Sequence, residues 1–478
     1  MYSEGAVNTS CDRFLTFSTL GGLSCILEPL HSTMLMSQRL ASTLAARTRP
    51  HFPGLAPPGM TVPPVFADGA SGSQVHDRVI EACSSQLRHG FANIGGAYGT
   101  SEQAGRAVDG ARAAMANIFH CSPVEVVFGP SMTALTFHVA RAAEQSIALG
   151  CGDEVVLDPL SHAANIAPWQ WLANQRGATV KWLPVAGSGG ECGLATDDRL
   201  ASVLTPGRTK LVAVGAASNG TGTVHDVATI CAAARSAGAL TFVDAVHYAA
   251  HHLIDVQRWD CDFAVCSPYK FFGPHSGVLY GRRSLLESWQ VHQLDCATDE
   301  LPCASNGGMS RWELGTQNHE ALAGVTAAVD YLAWLGEAAS LGDSNASPQD
   351  RSRRERLVAG FGAIEAHEDE LKAAFLTGVR AMQRQGVDLE VLGVSEPCRP
   401  RSRTPTFAIA KRSRSPEDLA GALCAAGIWT TSGNHYASLW SEHSGGLATA
   451  EAGLARLGFL HYNTCDEIER VLQVLRSC

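Results

Sequence analysis

The chain has 478 residues, 45% of them hydrophobic, and a formal net charge of −10. That length supports two or three domains with a sizeable core, and the acidic balance argues against a nucleic-acid surface. No apolar run approaches the ~18 residues of a membrane span, and 15 scattered cysteines without a C-x-x-C pair indicate a reducing compartment rather than a disulfide framework or a zinc site.

Residues 1–35 read as a weakly ordered extension. The stretch HSTMLMSQRLASTLAARTRP (31–50) lacks acids and carries Ser and Arg, as organelle transit peptides do. The plainer reading, which we prefer, is the first amphipathic helix of the fold. A cytoplasmic location is expected, with organelle targeting left open.

From about residue 120 to 282 apolar strand-like runs alternate with helical patterns. The runs are EVVFG, DEVVLD, ATVKWLP, TKLVAVGA, ALTFVDA, DFAVCS and GVLYGR. Between them lie MTALTFHVARAAEQSIALG, NIAPWQWLANQRG and VATICAAARSAG, each ending in Gly as a helix C-terminus prefers. Such alternation means an α/β fold around a mainly parallel sheet covered on both faces. A long helical pattern covers 318–336, and a polar linker follows. The chain then turns α+β, with a helical run to about 385, strands near LEVLGV, PTFAIA and GIWTT, and a last helix DEIERVLQVL. We divide the chain into an N-terminal extension (1–50), a large domain (51–330) and a smaller C-terminal domain (331–478). RSRRER and EAHEDE read as a solvated helix face of mixed charge. Trp169 and Trp171 read as packing residues.

Four features fall at the expected carboxyl ends of strands, where such sheets bind ligands. VVFGPSMTALTF sets Ser131, Met132 and Thr133 at a helix start, whose N–H groups and dipole favour an anion such as phosphate. SHAANIAPW sets His162 just past DEVVLD. FVDAVHY ends an apolar strand in Asp244, with His247 three residues on. SPYKFFGPHSGVLYG sets Lys270 after DFAVCS, and a lysine in so apolar a stretch is paired or reactive. Each has a plainer reading: Ser131 or Thr133 as a helix cap, His162 as a satisfied structural histidine, Asp244 as a turn cap. Together they describe one chemistry. An aromatic aldehyde with a phosphate tail needs a lysine to form a Schiff base, an acid to keep its ring nitrogen protonated as an electron sink, a phosphate cup and a flat partner. That cofactor is pyridoxal 5′-phosphate (PLP).

The sequence resembles the class V branch of the fold-type-I PLP-dependent enzymes, the aminotransferase and cysteine desulfurase-like superfamily. Within it, the chain is most similar to the cysteine desulfurase-like proteins. The resemblance runs from about Phe52 to the C-terminus, through FADGASGSQV, ANIGGAYGTS, VVFGPSMTALTFHVARA, VDAVHYAAHHLIDVQRWDCDFAVCSPYKFFGPHSGVLYGR, WELGTQNHEALAG and LARLGFLHYNTCDEIERV. It implies a large PLP-binding domain with a seven-stranded, mainly parallel sheet, and a homodimer. It also implies roles. Lys270 carries the cofactor and moves protons at the substrate α-carbon. Asp244 partners the pyridine nitrogen, His247 contacts the ring hydroxyl, and His162 stacks on the ring, with Asn165 assisting. Met132, Thr133 and Ser267 hold the phosphate, and Tyr269 stands where many relatives carry His. Thr316 reaches the phosphate of the neighbouring subunit. Arg456 binds the substrate α-carboxylate, a bidentate task. Gly95, Gly96 and Tyr98 edge the substrate pocket.

In the desulfurases that the chain most resembles, a mobile cysteine takes the sulfur as a persulfide, in a motif that reads SGNHYAS here. Tyr436 holds its place, and Cys266 reads as a small core residue at a strand end. Tyr436 or His435 is then the acid or base beside the substrate side chain. Substrates whose leaving group departs without a protein thiol, such as selenocysteine or a cysteine conjugate, suit that site. The expected function is a PLP-dependent carbon–sulfur or carbon–selenium lyase acting on an amino acid, in a homodimer. An aminotransferase or epimerase of the same family uses the same residues, and a vestigial PLP-binding scaffold is the reading from another class. A Rossmann oxidoreductase fails because no G-x-G-x-x-G follows the first strand.

Overall fold

The structure, a computed structural model, describes residues 44–90, 92–186, 193–194, 198–295, 297–301, 311–339, 351–396, 402–437, 439, 446, 448–449 and 452–478. The extension read at 1–35, and most of the 31–50 stretch, lie outside the described residues; 44–48 are helical. The strands, in chain order, are β1 (Val65–Phe66), β2 (Val126–Gly129), β3 (Glu154–Leu157), β4 (Thr179–Trp182), β5 (Val185–Ala186), β6 (Gly193–Leu194), β7 (Thr209–Gly215) and β8 (Leu240–Asp244). They continue with β9 (Phe263–Cys266), β10 (Gly277–Gly281), β11 (Glu390–Val391), β12 (Thr406–Ala410), β13 (Ile428–Trp429), β14 (Thr431–Gly433) and β15 (Leu454–Gly458).

The seven runs singled out in the sequence become β2, β3, β4 and β7 to β10. They form one sheet in the order β2-β10-β9-β8-β7-β3-β4. Strands β9, β8, β7, β3 and β4 pair in parallel, while β10 runs antiparallel to both β9 and β2. The reason lies in the link from β9 to β10, Ser267 to Ser276, which is too short for the helical crossover that parallel neighbours require. Alternate strand residues feed opposite faces. Val156, Val212, Val243 and Ala264 pack on Val108, Phe119 and Leu332, and Val155, Leu211, Phe242 and Phe263 pack on Leu135, Val139 and Trp169. With both faces dry, the strands need no polar alternation. Cys266 is buried in the first of these layers, as its strand-end position suggested.

A second sheet, β11-β12-β15-β14, is antiparallel. Helices Arg353–Arg384, Pro416–Ala425 and Cys465–Ser477 cover it through Leu371, Phe375, Leu423, Ile468 and Val471. Reciprocal capping boxes start two of these helices, Ser352 with Glu355 and Thr464 with Glu467. The chain near residue 65 joins this sheet region as well: β1 pairs in parallel with β13, and Asp68 bridges Gly458. The division read at 330/331 falls inside the His319–Ala339 helix.

One expectation is overturned. RSRRER and EAHEDE do not form a solvated face: Arg354 donates to the carbonyls of Asn117, Ile118 and Ile254, and His367 and Glu368 are buried. The mixed charge hid a helix face that packs against polar groups of other elements. No described helix is long and apolar enough to cross a membrane.

Candidate active site

The carboxyl ends of β2, β3, β7 and β8 and the segment after β9 open on one cavity of about 240 Å³. Strand β2 ends at Gly129, and the helix Met132–Ser146 starts three residues later. Ser131 caps it, its Oγ accepting from Ala134 N at 3.1 Å. The first N–H groups, those of Met132 and Thr133, have no acceptor within the helix, as at any helix start, and both residues line the cavity. Gly277 on β10 makes room for this turn: a Cβ there would lie 2.3 Å from the Ser131 carbonyl carbon and 2.6 Å from Met132 N.

Beyond β3, Asp158 organises the next turn. Its carboxylate accepts from Leu160 N at 2.7 Å, Ser161 Oγ at 2.7 Å and Gly215 N at 3.0 Å, tying β3 to β7. His162 follows, its Nδ1 accepting from Ala164 N at 3.0 Å, so its proton sits on Nε2. Burial, with Lys270 and Arg456 nearby, pulls His162 down to about 4. The ring is therefore neutral.

Asp244 ends β8, and its Oδ1 accepts from Val246 N at 2.9 Å. Burial raises it to about 6, while the Val246 N–H and Lys270 work the other way. Lys270 Nζ donates to the carbonyls of Ala70 at 2.6 Å and Ser71 at 2.8 Å. Burial and Arg456 bring it down to about 7, with Asp68 and Asp244 opposing. A lysine in that range is half neutral at physiological pH, as a nucleophile or base requires.

Arg456 enters from β15. It is buried and donates through Nη1 to Asn219 O at 3.0 Å and through Nη2 to Ser71 Oγ at 2.6 Å. Asp68 Oδ1 is 3.6 Å from Nη2, and the Arg456 Nε has no hydrogen-bond partner. At the mouth stand His435 and Tyr436, both with left-handed backbones, φ 50° and 56°. Asn219 Nδ2 donates to His435 O at 2.9 Å, and Ala163 N donates to Tyr436 O at 2.6 Å. The Tyr436 ring lies 5.4 Å from that of His162 and is 73% exposed. His435 instead turns its Nε2 to the Leu454 carbonyl, at 3.1 Å, and burial drops it to about 3. Of the two candidate acid or base groups, Tyr436 is the one with a free hydroxyl.

The cavity thus gathers Met132, Thr133, His162, Asp244, His247, Tyr269, Lys270, Tyr436 and Arg456. Six candidates do not line it, Gly95 and Gly96 among them. Asn165 is fully buried, accepting from Trp169 Nε1 at 3.2 Å and donating to Ser161 Oγ at 3.4 Å, so it braces the turn instead of facing the cavity. Tyr98 is 55% exposed before the Gly99–Phe119 helix. Ser267 is buried, its carbonyl accepting from Lys270 N. Thr316 lines a separate cavity with His275, Ser276 and Gln317. Sequence reasoning missed Ser71, Asp158 and Asn219. FADGAS was noticed only as a likeness, and an Asn before Gly reads as a turn signal.

The arrangement is that of a fold-type-I α/β transferase. The profile of the aminotransferase class-V family matches residues 65–348. The chain is 31% identical over 445 residues to a cysteine desulfurase of Pectobacterium carotovorum subsp. carotovorum, covering 90% of this chain and 97% of that one. It is 31% identical over 441 residues to a cysteine desulfurase of Pectobacterium atrosepticum, with 90% and 97% covered. The fold is similar to that of the apo cysteine desulfurase of Thermococcus onnurineus, with a TM-score of 0.71, 23% identity and 87% and 94% of the two chains covered. The chain belongs to the class V aminotransferase family, among its cysteine desulfurase-like members, and is a PLP-dependent enzyme.

Proposed function

We propose that this cavity holds PLP and cleaves a carbon–sulfur or carbon–selenium bond of an amino acid. The observation that carries the reading is Lys270: a buried amine hydrogen-bonded to two main-chain carbonyls and titrating near 7. The other residues fit the cofactor part by part. The N–H groups at the start of Met132–Ser146 and the Thr133 hydroxyl suit its phosphate, and Asp244 suits its ring nitrogen. His162 offers a neutral flat ring, and Lys270 would hold the group covalently. When bound, PLP supplies a conjugated electron sink at the substrate α-carbon.

The chain does the rest. Arg456 binds the α-carboxylate and so orients the amino acid. Lys270, as a free amine, would take the α-proton. Asp244, ionised above about pH 6, keeps a proton at the ring nitrogen. His162 and Tyr436 flank the mouth, their rings 5.4 Å apart. The side-chain end of the substrate faces Tyr436, and the sequence has no cysteine between Cys424 and Cys465, so the leaving group departs beside a phenol and not a thiol. A homodimer belongs to the same reading, since Thr316 stands outside this cavity, as a residue serving a second copy would.

Purified protein supplied with PLP should turn yellow, and the band should move when L-cysteine or L-selenocysteine is added. Lys270→Ala should abolish the lysine-bound band. A Lys270→Ala spectrum equal to that of the wild type would sink the assignment.

A further inference from the structure

Lys270 is buried on a tight turn, and the segment 70–73 holds it from two sides. The amine at the end of the side chain rests on the carbonyls of Ala70 and Ser71. The backbone rests on Ser73. Of the amides from Lys270 to Gly273, those of Lys270, Phe271 and Gly273 turn back to the carbonyls of Ser267 and Pro268, at 3.0, 2.9 and 2.9 Å. The Phe272 N–H leaves the turn and donates to Ser73 Oγ at 2.7 Å. An amide only donates, so the serine oxygen is the acceptor there. The Ser73 hydroxyl donates to Tyr269 O at 2.9 Å, and the Ser73 N–H donates to the same carbonyl at 3.1 Å. Ser73 therefore grips the residue before Lys270 and the second residue after it.

That grip restrains an unusual backbone. Phe272 has φ 72°, a region that a bulky residue seldom enters and keeps only where its surroundings fix it. Its ring is fully buried, edge-on to His461 at 4.6 Å, to Phe52 at 5.6 Å and to Tyr331 at 5.7 Å. Those rings fix the Phe272 side chain, and Ser73 Oγ fixes its N–H. Without the serine oxygen that N–H has lost its acceptor, a costly state for a backbone group away from water. Rotation of the peptide between Phe271 and Phe272 relieves it, and Lys270 moves with that peptide.

We infer that Ser73 is a positioning residue, bracketing the turn of Lys270 so that the amine enters the cavity from one fixed place. The inference rests on Lys270 being the lysine that takes the cofactor. Ala70 and Ser71 line the cavity and Ser73 does not, so Ser73 acts through the backbone it holds. Burial is the largest reason that Lys270 titrates at about 7 and not at 10.5. A turn that loosens admits water and sends the amine back up.

Competitive labelling of the full-length apo protein with acetic anhydride across pH, read at Lys270 by mass spectrometry, gives the midpoint of its titration without PLP. The midpoint is the readout, since the rate also follows access. In the wild type it should lie near 7, and in Ser73→Ala it should move up toward 10.5. Ser73→Thr, which keeps the hydroxyl, should stay with the wild type. Thr209→Val controls for lost stability alone. Thr209 Oγ1 accepts from Thr205 N at 2.8 Å and donates to Glu154 Oε2 at 3.1 Å, at the opposite end of β7 from Gly215, which lines the cavity. That variant should be destabilised with an unmoved midpoint. With PLP added, Ser73→Ala should bind it roughly tenfold more weakly, the size of one lost hydrogen bond, and Thr209→Val should bind it as the wild type does. A folded Ser73→Ala whose midpoint matches the wild type overturns the inference, even if its melting temperature falls. A wild-type midpoint near 10.5 overturns it too. Should Ser73→Ala fail to fold, Ser73→Cys, whose sulfur is only a weak acceptor, decides by the same readout. Expected midpoints in a protein that never takes up PLP would refute the cofactor reading and leave the bracket standing.

Discussion

Ser71 Oγ accepts a hydrogen bond from Arg456 Nη2 at 2.6 Å, and the carbonyl of the same serine accepts one from Lys270 Nζ at 2.8 Å. One residue of the segment after β1 holds both cations of the cavity. Its hydroxyl also donates to Asp68 Oδ1 at 2.7 Å, the carboxylate nearest Arg456. The backbone and side chain of 68–71 thus supply acceptors to both basic side chains.

The arginine should therefore be irreplaceable where the serine is not. Arg456→Lys keeps the charge and loses the fork, and should lower kcat/KM for amino acids by about 2–4 kcal/mol, mostly in KM, with the PLP band intact. Ser71→Ala removes a competitor and an orienting contact together, so its effect on KM should stay within about tenfold. Steady-state kinetics on both variants checks this. An unchanged KM in Arg456→Lys would move the carboxylate site elsewhere.

Lys270 and Asp244 make the stability of the apo protein depend on pH in opposite senses. Burial lowers Lys270 from 10.5 to about 7. Between those values the unfolded state binds more protons, so stability rises with pH. Burial raises Asp244 from 3.8 to about 6. Between those values the folded state binds more protons, and stability falls as pH rises. Within its window each group contributes up to about 1.4 kcal/mol per pH unit. Denaturant unfolding of Lys270→Met should show a gain over wild type that is full below about pH 7 and fades towards 10.5. Asp244→Asn should show a gain that is absent below about pH 3.8 and full above 6. A pH-independent difference would return the lysine to its ordinary range.

The strands of the large sheet were legible because parallel strands buried on both faces are short continuous apolar runs, and the residues at their ends were legible with them. Direction was harder: nothing in GVLYG says that β10 runs antiparallel, which follows from the length of the link before it. Spacing also cannot say which way a side chain turns. Asn165 sits three residues after His162 and still points into the core at Trp169. Ser71, Asn219 and Thr404 reach the site from segments far apart in the chain, a tertiary fact with no local pattern. The EAHEDE stretch misled for the same reason, since the partners of Glu365 and Glu368 lie in the turn after β8.

Gly277 should be one of the least substitutable glycines of the large sheet. Its register partner is Gly129, and a Cβ would strike the Ser131 carbonyl rather than a movable side chain. Gly277→Ala should cost about 1–3 kcal/mol of stability and weaken PLP binding, because the displaced backbone is the one that presents Met132 N–H. Gly150, whose Cβ would meet nothing within 4 Å, is the control and should tolerate alanine. Equal losses at both positions would mean that the helix start is not the phosphate cup.

Tyr436 poses the sharpest test of the chemistry at the mouth. Its backbone already occupies the left-handed region, so another non-glycine residue adds little strain there. Its ring sits over His162, and its carbonyl is tied to Ala163 N. Tyr436→Cys should therefore put a thiol above the cavity without disturbing the turn. After incubation with PLP and L-cysteine, mass spectrometry should find a persulfide on Cys at that position, and sulfur release should rise. Tyr436→Phe separates the roles of ring and hydroxyl. If the phenol protonates the leaving group, kcat should fall by about 10²–10⁴ with little change in KM; if the ring only shields the mouth, kcat should hold. A persulfide-free Tyr436→Cys protein with normal PLP binding would mean that the loop keeps this position away from the substrate side chain, and that the leaving group departs in another direction.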